Sequence, residues 1–291
     1  MSEPSDFPAT GGRPEDLPHT TERVTIEEYM DSEGGYVIYS LHAATYAFAL
    51  SYVKGHRVLD LGCGTGYGTE VLAQVAAEVV GVDVSGEAIS YATARFAGEN
   101  LEFRQIGRLP EQRLPFEDGL FDVVTSFQVI EHIEAAGQYL DEVRRVLAPD
   151  GVFLCVTPDR THRLLPRQRP WNEFHCTEYR PDELAALLGT RFTDVTVLGM
   201  TAPDHMIKHE LRRYRRMRTL AYPFTFPGAP EWWRVFGLRL AKRLVRRERP
   251  RNPPGAFGFG PDDVVIASGA HPSVNIVALA SGTRPRSAPA T

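Results

Sequence analysis

Cysteine, lysine and long apolar runs are all scarce in this 291-residue chain. Cys63, Cys155 and Cys176 are odd in number and widely scattered, which excludes a disulfide framework and a cysteine-built zinc site. Their free state fits a reducing compartment. No run of 18 apolar residues exists, so no segment reads as a bilayer-spanning helix. The opening MSEPSDFPATGGRPEDLP lacks the basic and apolar stretches of a secretory leader, and a cytoplasmic location is the expectation. Lysine is replaced almost throughout by arginine, 29 against 3, a ratio that genome composition accounts for without a mechanism.

What is present is ordinary in bulk and uneven in arrangement. Hydrophobic residues at 43% and charged residues at 24% exclude wholesale disorder, collagen and coiled coil. The net charge of −5 hides two opposed parts. Between Lys208 and Arg251 stand 14 basic and 3 acidic residues, while the remainder holds 18 basic and 34 acidic.

Along the chain, residues 1–20 and 282–291 are rich in Pro, Ser and Gly or Ala, too polar to pack, and read as disordered tails. Residues 21–56 read as a helical cap built on YVIYSLHAATYAFALSYV. From 57 to 200 strand and helix signals alternate. VLDLG (58–62), EVVGVDV (78–84), LEFRQI (101–106), FDVVTSF (121–127), VFLCVT (152–157), FTDVTVLGM (192–200) and SVNIVALAS (273–281) are seven predicted strands. Between them, Ser85 is placed to cap a helix running to Phe96, a helix covers Ala135–Leu147 with Pro149-Asp150-Gly151 closing it, and Pro181 opens another that ends at Gly189. Such alternation predicts an α/β fold with one doubly wound, mostly parallel sheet covered on both faces. Residues 201–264 form a basic helical insert, and 265–281 complete the core with the final strand.

The most specific motif is Asp60-Leu61-Gly62-Cys63-Gly64-Thr65-Gly66, followed by Asp83 at the end of the second strand. A glycine-rich strand-to-helix turn lets a ligand approach the backbone, and an acid ending the next strand can bind ribose hydroxyls. The dinucleotide pattern G-x-G-x-x-G would need its third glycine at Tyr67, so a phosphate-binding site is not indicated. Taken in order, DLGCGTG, GVDVS, FDVVTSFQVIEHI and RVLAPDGVFLCVTP resemble the class I S-adenosylmethionine-dependent methyltransferases from about Val58 to Pro158. The resemblance implies a seven-stranded sheet whose last strand is antiparallel, with S-adenosylmethionine as cofactor. By the same likeness Asp60 and the loop residues Gly62, Cys63, Gly64 and Gly66 hold the amino-acid end of the cofactor, Asp83 takes the ribose, Val84 packs on adenine, and Phe127 and Gln128 lie near the sulfonium. One departure is Arg108, which stands where many members place an acid for the adenine amine. A guanidinium has no acceptor lone pair, so the backbone or Glu111 must serve instead.

Methyl transfer from a sulfonium is an in-line displacement, and the protein mainly aligns the groups and excludes water. A base is required where the acceptor must lose a proton. Glu131 and His132 follow the fourth strand and are the first candidates. The competing reading makes Glu131 a first-turn helix residue favoured by the macrodipole. After the fifth strand, RPWNEFHCTEY supplies His175 as a third catalytic candidate and Trp171, Asn172 and Glu178 as acceptor contacts. Tyr36 and His42 on the amino-terminal helix join that acceptor set, with Tyr46 one turn beyond His42. No metal site is expected.

The insert offers an apolar stripe, Phe236, Leu240 and Leu244 with Ala241 and Val245, between faces carrying Arg239, Lys242, Arg243, Arg246 and Arg247. A lid helix packing that stripe on its own core is one reading; attraction to something anionic is the other. The anion could be a membrane surface, a charged small substrate or RNA, and RNA is the least favoured because no RNA-binding module accompanies the patch. Asn252-Pro253-Pro254 copies a motif of amine methyltransferases but lies far from the fourth strand, where that motif belongs, so it is discounted. The function expected is methylation of a small-molecule acceptor, a hydroxyl of a natural product, sugar, lipid or quinone. Methylation of a small amine, an RNA-binding methyltransferase and a non-catalytic cofactor-binding protein are the alternatives. Oligomeric state is not readable.

Overall fold

The computed structural model describes residues 32–109, 111–245 and 258–283. The amino-terminal tail, the start of the cap, Asn252-Pro253-Pro254, Arg246 and Arg247 lie outside them, as do the side chains of 242–245.

Five strands run parallel in the order β3 (Leu101–Gln105), β2 (Glu78–Asp83), β1 (Arg57–Leu61), β4 (Phe121–Phe127), β5 (Leu147–Pro158). β8 (Asn275–Thr283) lies antiparallel between β5 and β6 (Phe192–Thr201). The predicted antiparallel last strand is therefore present. The count of seven is corrected to eight, because Val265–Ala267 (β7) pairs antiparallel with the end of β6. Three residues are too few to show an alternating pattern in sequence.

Val79, Val82, Val124 and Leu154 are fully buried, as expected for parallel strands covered by helices on both faces. One face packs on α4 (Ala136–Val146) and α6 (Pro181–Leu188) through Tyr139, Leu140, Leu184 and Leu188. The other packs on α2 (Tyr67–Ala73), α3 (Gly86–Phe96) and the end of α1 (Glu33–Val53) through Tyr46, Val53 and Leu72. Ser85 caps α3 by accepting from the Ala88 N–H at 3.3 Å. Pro149-Asp150-Gly151 does not close a helix. It lies inside β5, where the register with β4 slips between Phe121 and Val123.

A third apolar cluster joins the two ends of the chain. Val37 and Leu41 of α1 pack with Met206, Tyr214 and Met217 of α7 (Asp204–Thr225), Leu238 of α8 (Glu231–Val245), Trp171 and Phe259. The helical cap and the basic insert thus share one core above the sheet. Within the α7–α8 hairpin, Gly237 makes room for the Phe224 ring, since a Cβ there would stand 1.8 Å from it.

Candidate active site

The turn after β1 has three left-handed residues, Gly62, Gly64 and Gly66, at φ 89°, 53° and 84°. Only glycine takes such a backbone without strain. A Cβ at Gly62 would meet Val129 at 2.3 Å, and one at Gly66 would meet Ala92 at 2.7 Å, so both are fixed by packing as well. At Gly64 a Cβ would meet no atom within 4 Å. The loop therefore presses on the protein at its two ends and turns an open backbone outward in the middle.

Asp83 ends β2 beside that opening. Its carboxylate accepts from the Gly64 N–H at 3.1 Å and from the Ser85 N–H at 2.8 Å. The neighbouring Val84 is 38% exposed, an apolar surface at the same sheet edge. Asp60, expected against the cofactor, is instead buried beneath the loop. It accepts from Thr69 at 2.7 Å and Thr125 at 2.8 Å, with Tyr46 as a third hydroxyl donor. Burial raises its carboxyl to about 6 despite those donors. Cys63 is buried too, and burial pushes its thiol well up. Arg108 and Glu111 are both exposed, and the Gln112 side chain, overlooked in the sequence, lies against Gly107.

Beyond β4 the chain makes a tight passage. Phe127 packs edge-on to Tyr46 at 5.0 Å, and Gln128 adopts a left-handed φ of 59° while donating its N–H to Val156 at 2.7 Å. Strained non-glycine backbone of this kind concentrates at functional sites. A short 3-10 turn, Ile130–His132, follows, and α4 begins only at Ala136. Glu131 thus sits in the first turn of that 3-10 helix, not of α4. It is fully buried, one carboxylate oxygen accepting from Thr157 at 3.0 Å and the other, Oε1, having no hydrogen-bond partner among the described residues. Burial raises its carboxyl to about 8.

His132 and His175 meet edge to face with ring centres 4.8 Å apart. His132 Nδ1 lies 3.1 Å from the Phe174 carbonyl oxygen, and His175 Nδ1 lies 2.8 Å from Glu178. The three catalytic candidates are therefore brought together. Of the acceptor candidates, Glu178 and Asn172 hydrogen-bond to His175 and Trp171 packs on Arg163 behind it, while Tyr36 and His42 lie apart on α1. Glu178 has no exposed side-chain surface, holding both Arg163 (2.9 and 3.0 Å) and His175. Burial alone would raise it, but the Arg163 guanidinium and the His175 hydrogen bond hold it at about 2. Trp171 is buried, donates Nε1–H to the Arg163 carbonyl, and carries the Arg163 guanidinium over its ring at 4.4 Å. Both belong to the interior of the cap. Asn172 accepts from the Phe174 N–H at 3.2 Å and orders the same loop.

On α1, His42 Nδ1 lies 3.3 Å from the Tyr67 hydroxyl, and burial lowers its imidazole to about 4. Tyr36 packs against Phe259 at 5.4 Å. Arg163 sits on a single helical turn, α5 (Arg160–Arg163), that no periodicity announces.

A glycine turn opening beside an acid-tipped neighbouring strand, in a sheet of this order, is the Rossmann-like arrangement expected for a nucleoside cofactor. Residues 59–155 match the methyltransferase domain family. A protein of Mycolicibacterium smegmatis described as an S-adenosylmethionine-dependent methyltransferase is 36% identical over 187 residues, covering 64% of this chain and 65% of its own. A Caulobacter ubiquinone biosynthesis O-methyltransferase is 32% identical, covering 49% of this chain and 61% of its own. The chain thus spans a little under two thirds of the curated relatives it matches. Among solved structures, a methyltransferase from Archaeoglobus fulgidus shares the fold at a TM-score of 0.51, 19% identity, and 84% and 93% coverage of the two chains. The [4+2]-cyclase SpnF does so at 0.52, 17% identity, and 83% and 81% coverage. Residues 59–155 are thus a methyltransferase domain, similar to that of S-adenosylmethionine-dependent relatives.

Proposed function

We propose that this protein transfers the methyl group of S-adenosylmethionine to a hydroxyl oxygen of a small lipid- or quinone-like acceptor. One observation carries the reading. Val129 seals Gly62 from one side, so the cofactor loop abuts the segment that bears Glu131 and His132. In the bound state Gly62–Gly66 would enclose the amino-acid end of the cofactor and Asp83 would accept from the ribose hydroxyls. Val84 would meet one face of the adenine, and the Gln112 amide could supply the acceptor that Arg108 lacks. Asp60 supports the loop from below. Phe127 and Gln128 flank the methyl, and Glu131, His132 and His175 manage the acceptor's proton. Replacing Asp83 by alanine is expected to weaken S-adenosylmethionine binding by roughly 1–3 kcal/mol, the scale of lost charge-assisted hydrogen bonds. Calorimetry giving an unchanged affinity would remove the ribose assignment.

The acceptor class rests on the outer face of the α7–α8 hairpin. The stripe through Phe236 and Leu240 does not pack on the core, as one sequence reading had it. Trp232, Phe236 and Leu240 are 70%, 58% and 41% exposed, while Leu238 and Ala241 face inward with Arg234. Arg212, Arg215, Arg216 and Arg239 are exposed on the same two helices. Aromatic side chains beside arginines suit the headgroup boundary of an anionic membrane, where an apolar acceptor would be collected. The ubiquinone O-methyltransferase relatives agree with that class. The deciding experiment incubates methyl-labelled cofactor with protein and membrane extract, alongside sedimentation with anionic vesicles. Label in the organic phase and salt-sensitive sedimentation are expected. Label in nucleic acid or in polar solutes, or no sedimentation at low salt, would overturn the lipid-type acceptor, and no transfer at all would favour a cofactor-binding protein without turnover.

A further inference from the structure

The Glu131–His132–His175 cluster has an arrangement that proton management does not require. One donor atom from each of the three residues lies within 4.8 Å of the other two. Each is also held from behind. His175 Nδ1 faces the Glu178 carboxylate at 2.8 Å, and that carboxylate is anchored by Arg163, so the Nδ1 proton is directed at Glu178 and the ring lone pair falls on Nε2. His132 Nδ1 faces the Phe174 carbonyl at 3.1 Å, an acceptor with no proton to give, which sets the same tautomer. Glu131 is fixed by the Thr157 hydroxyl on one oxygen, leaving the buried Oε1 with no hydrogen-bond partner among the described residues.

A buried, unsatisfied carboxylate oxygen beside two imidazoles oriented through Nδ1 is the environment of a metal ligand set. Ligating histidines commonly donate their other ring N–H to a carboxylate or a backbone carbonyl, which is the arrangement at His175 and His132 respectively. We propose that Glu131, His132 and His175 bind one divalent transition-metal ion such as Zn²⁺, with remaining coordination positions open to solvent or an acceptor oxygen. The donor set selects the metal class. Two imidazole nitrogens and one carboxylate suit zinc, iron or cobalt, whereas magnesium and calcium prefer all-oxygen sites. Bonds of about 2.0–2.2 Å need donors roughly 3–4 Å apart, so the cluster closes by about 1 Å on binding.

Three cysteines, widely scattered, gave no hint of this centre; its ligands are contributed by two loops more than 40 residues apart. The inference concerns ion binding and holds whether or not the acceptor class proposed above is right. It deepens that reading at one point, because an acceptor hydroxyl on the ion would lose its proton more readily.

The test uses the full-length protein, stripped with chelator, dialysed and titrated with Co²⁺. A visible d–d absorption band saturating at one equivalent and displaced by Zn²⁺ is expected. Glu131→Gln and His175→Gln should each weaken Co²⁺ binding at least tenfold, and Thr157→Val, which removes the hydrogen bond to the other Glu131 oxygen, by about 10–100-fold. S-adenosylmethionine binding, measured on the same samples, is expected to persist throughout and certifies the fold. Cofactor binding without any cobalt band in the parent protein, or cobalt binding retained in both ligand variants, would overturn the metal site alone. Loss of cofactor binding in the parent protein would instead overturn the methyltransferase reading.

Discussion

His132→Ala is expected to lower methyl transfer by about 10²–10⁴-fold while S-adenosylmethionine affinity stays within a factor of two of the parent. The expectation follows from what the side chain touches. His132 belongs to the 3-10 turn that follows β4, its ring held by the Phe174 carbonyl and stacked edge-on against His175. Its ring is held by the loop that carries Phe174 and His175, whereas Asp83 is tied to Gly64 and Ser85, so removing the ring is expected to leave the cofactor's binding groups in place. An imidazole accepting the acceptor's proton and an imidazole holding an ion that polarises the acceptor both predict this loss. They part on metal content. Under the first, His132→Ala retains whatever ion the parent holds; under the second, it loses the ion and the activity together. Turnover within threefold of the parent would exclude both roles.

The parts of this site that the sequence made legible are those set by local backbone need. Alternating glycines at 62, 64 and 66 announce positive φ wherever they fall, and Asp83 announces itself by ending an apolar strand. The strands were legible because five of them are buried on both faces and so read as short apolar runs. What stayed hidden depends on long-range partners. Thr157 looks like an ordinary strand residue until Glu131 is placed beside it. Glu178 reads as a solvent-facing acid near a site, and nothing local says that Arg163, fifteen residues earlier, buries it. Arg234 was counted among insert charges, yet it is inside the cap, donating to Glu231 and to the Asn172 carbonyl. The buried face of α8 runs 234, 238, 241, a helical stripe whose first member is charged, which defeats a hydrophobicity pattern.

The same pairings change the meaning of the basic insert. Arg213 is tied to the buried Glu210 at 2.6 Å, Lys208 to Asp204, and Arg218 donates to the His162 carbonyl at 3.2 Å. A good share of the positive charge is therefore spent fastening the cap to itself and to the loop above the sheet. Arg212, Arg215, Arg216 and Arg239 stay exposed on the two helices, and the apolar stripe is on the second of them.

Glu178→Gln is expected to destabilise the protein by about 3–5 kcal/mol, the range for removing one partner of a buried ion pair. At roughly 2–4 °C per kcal/mol for a domain of this size class, the midpoint of thermal unfolding should fall by about 6–20 °C. Glutamine keeps the volume and can still accept from His175 Nδ1, so the loss isolates the charge. What remains is the Arg163 guanidinium, 6% exposed, with its counter-charge gone. Stacking between Trp171 at 4.4 Å and Tyr214 at 4.8 Å returns part of the cost, since each cation–π contact contributes about 0.5–2 kcal/mol, but that contact exists in the parent as well. The double variant Arg163→Met with Glu178→Gln removes the orphaned charge and should recover at least half of the lost midpoint, because buried pairs are often replaceable by apolar groups of similar size. A single variant melting within 2 °C of the parent would mean that water reaches Arg163 and that the cap is looser than its packing implies. A double variant as unstable as the single one would shift the cost from the unpaired charge to the lost bidentate bridge itself, which fastens α5 to the loop that presents His175.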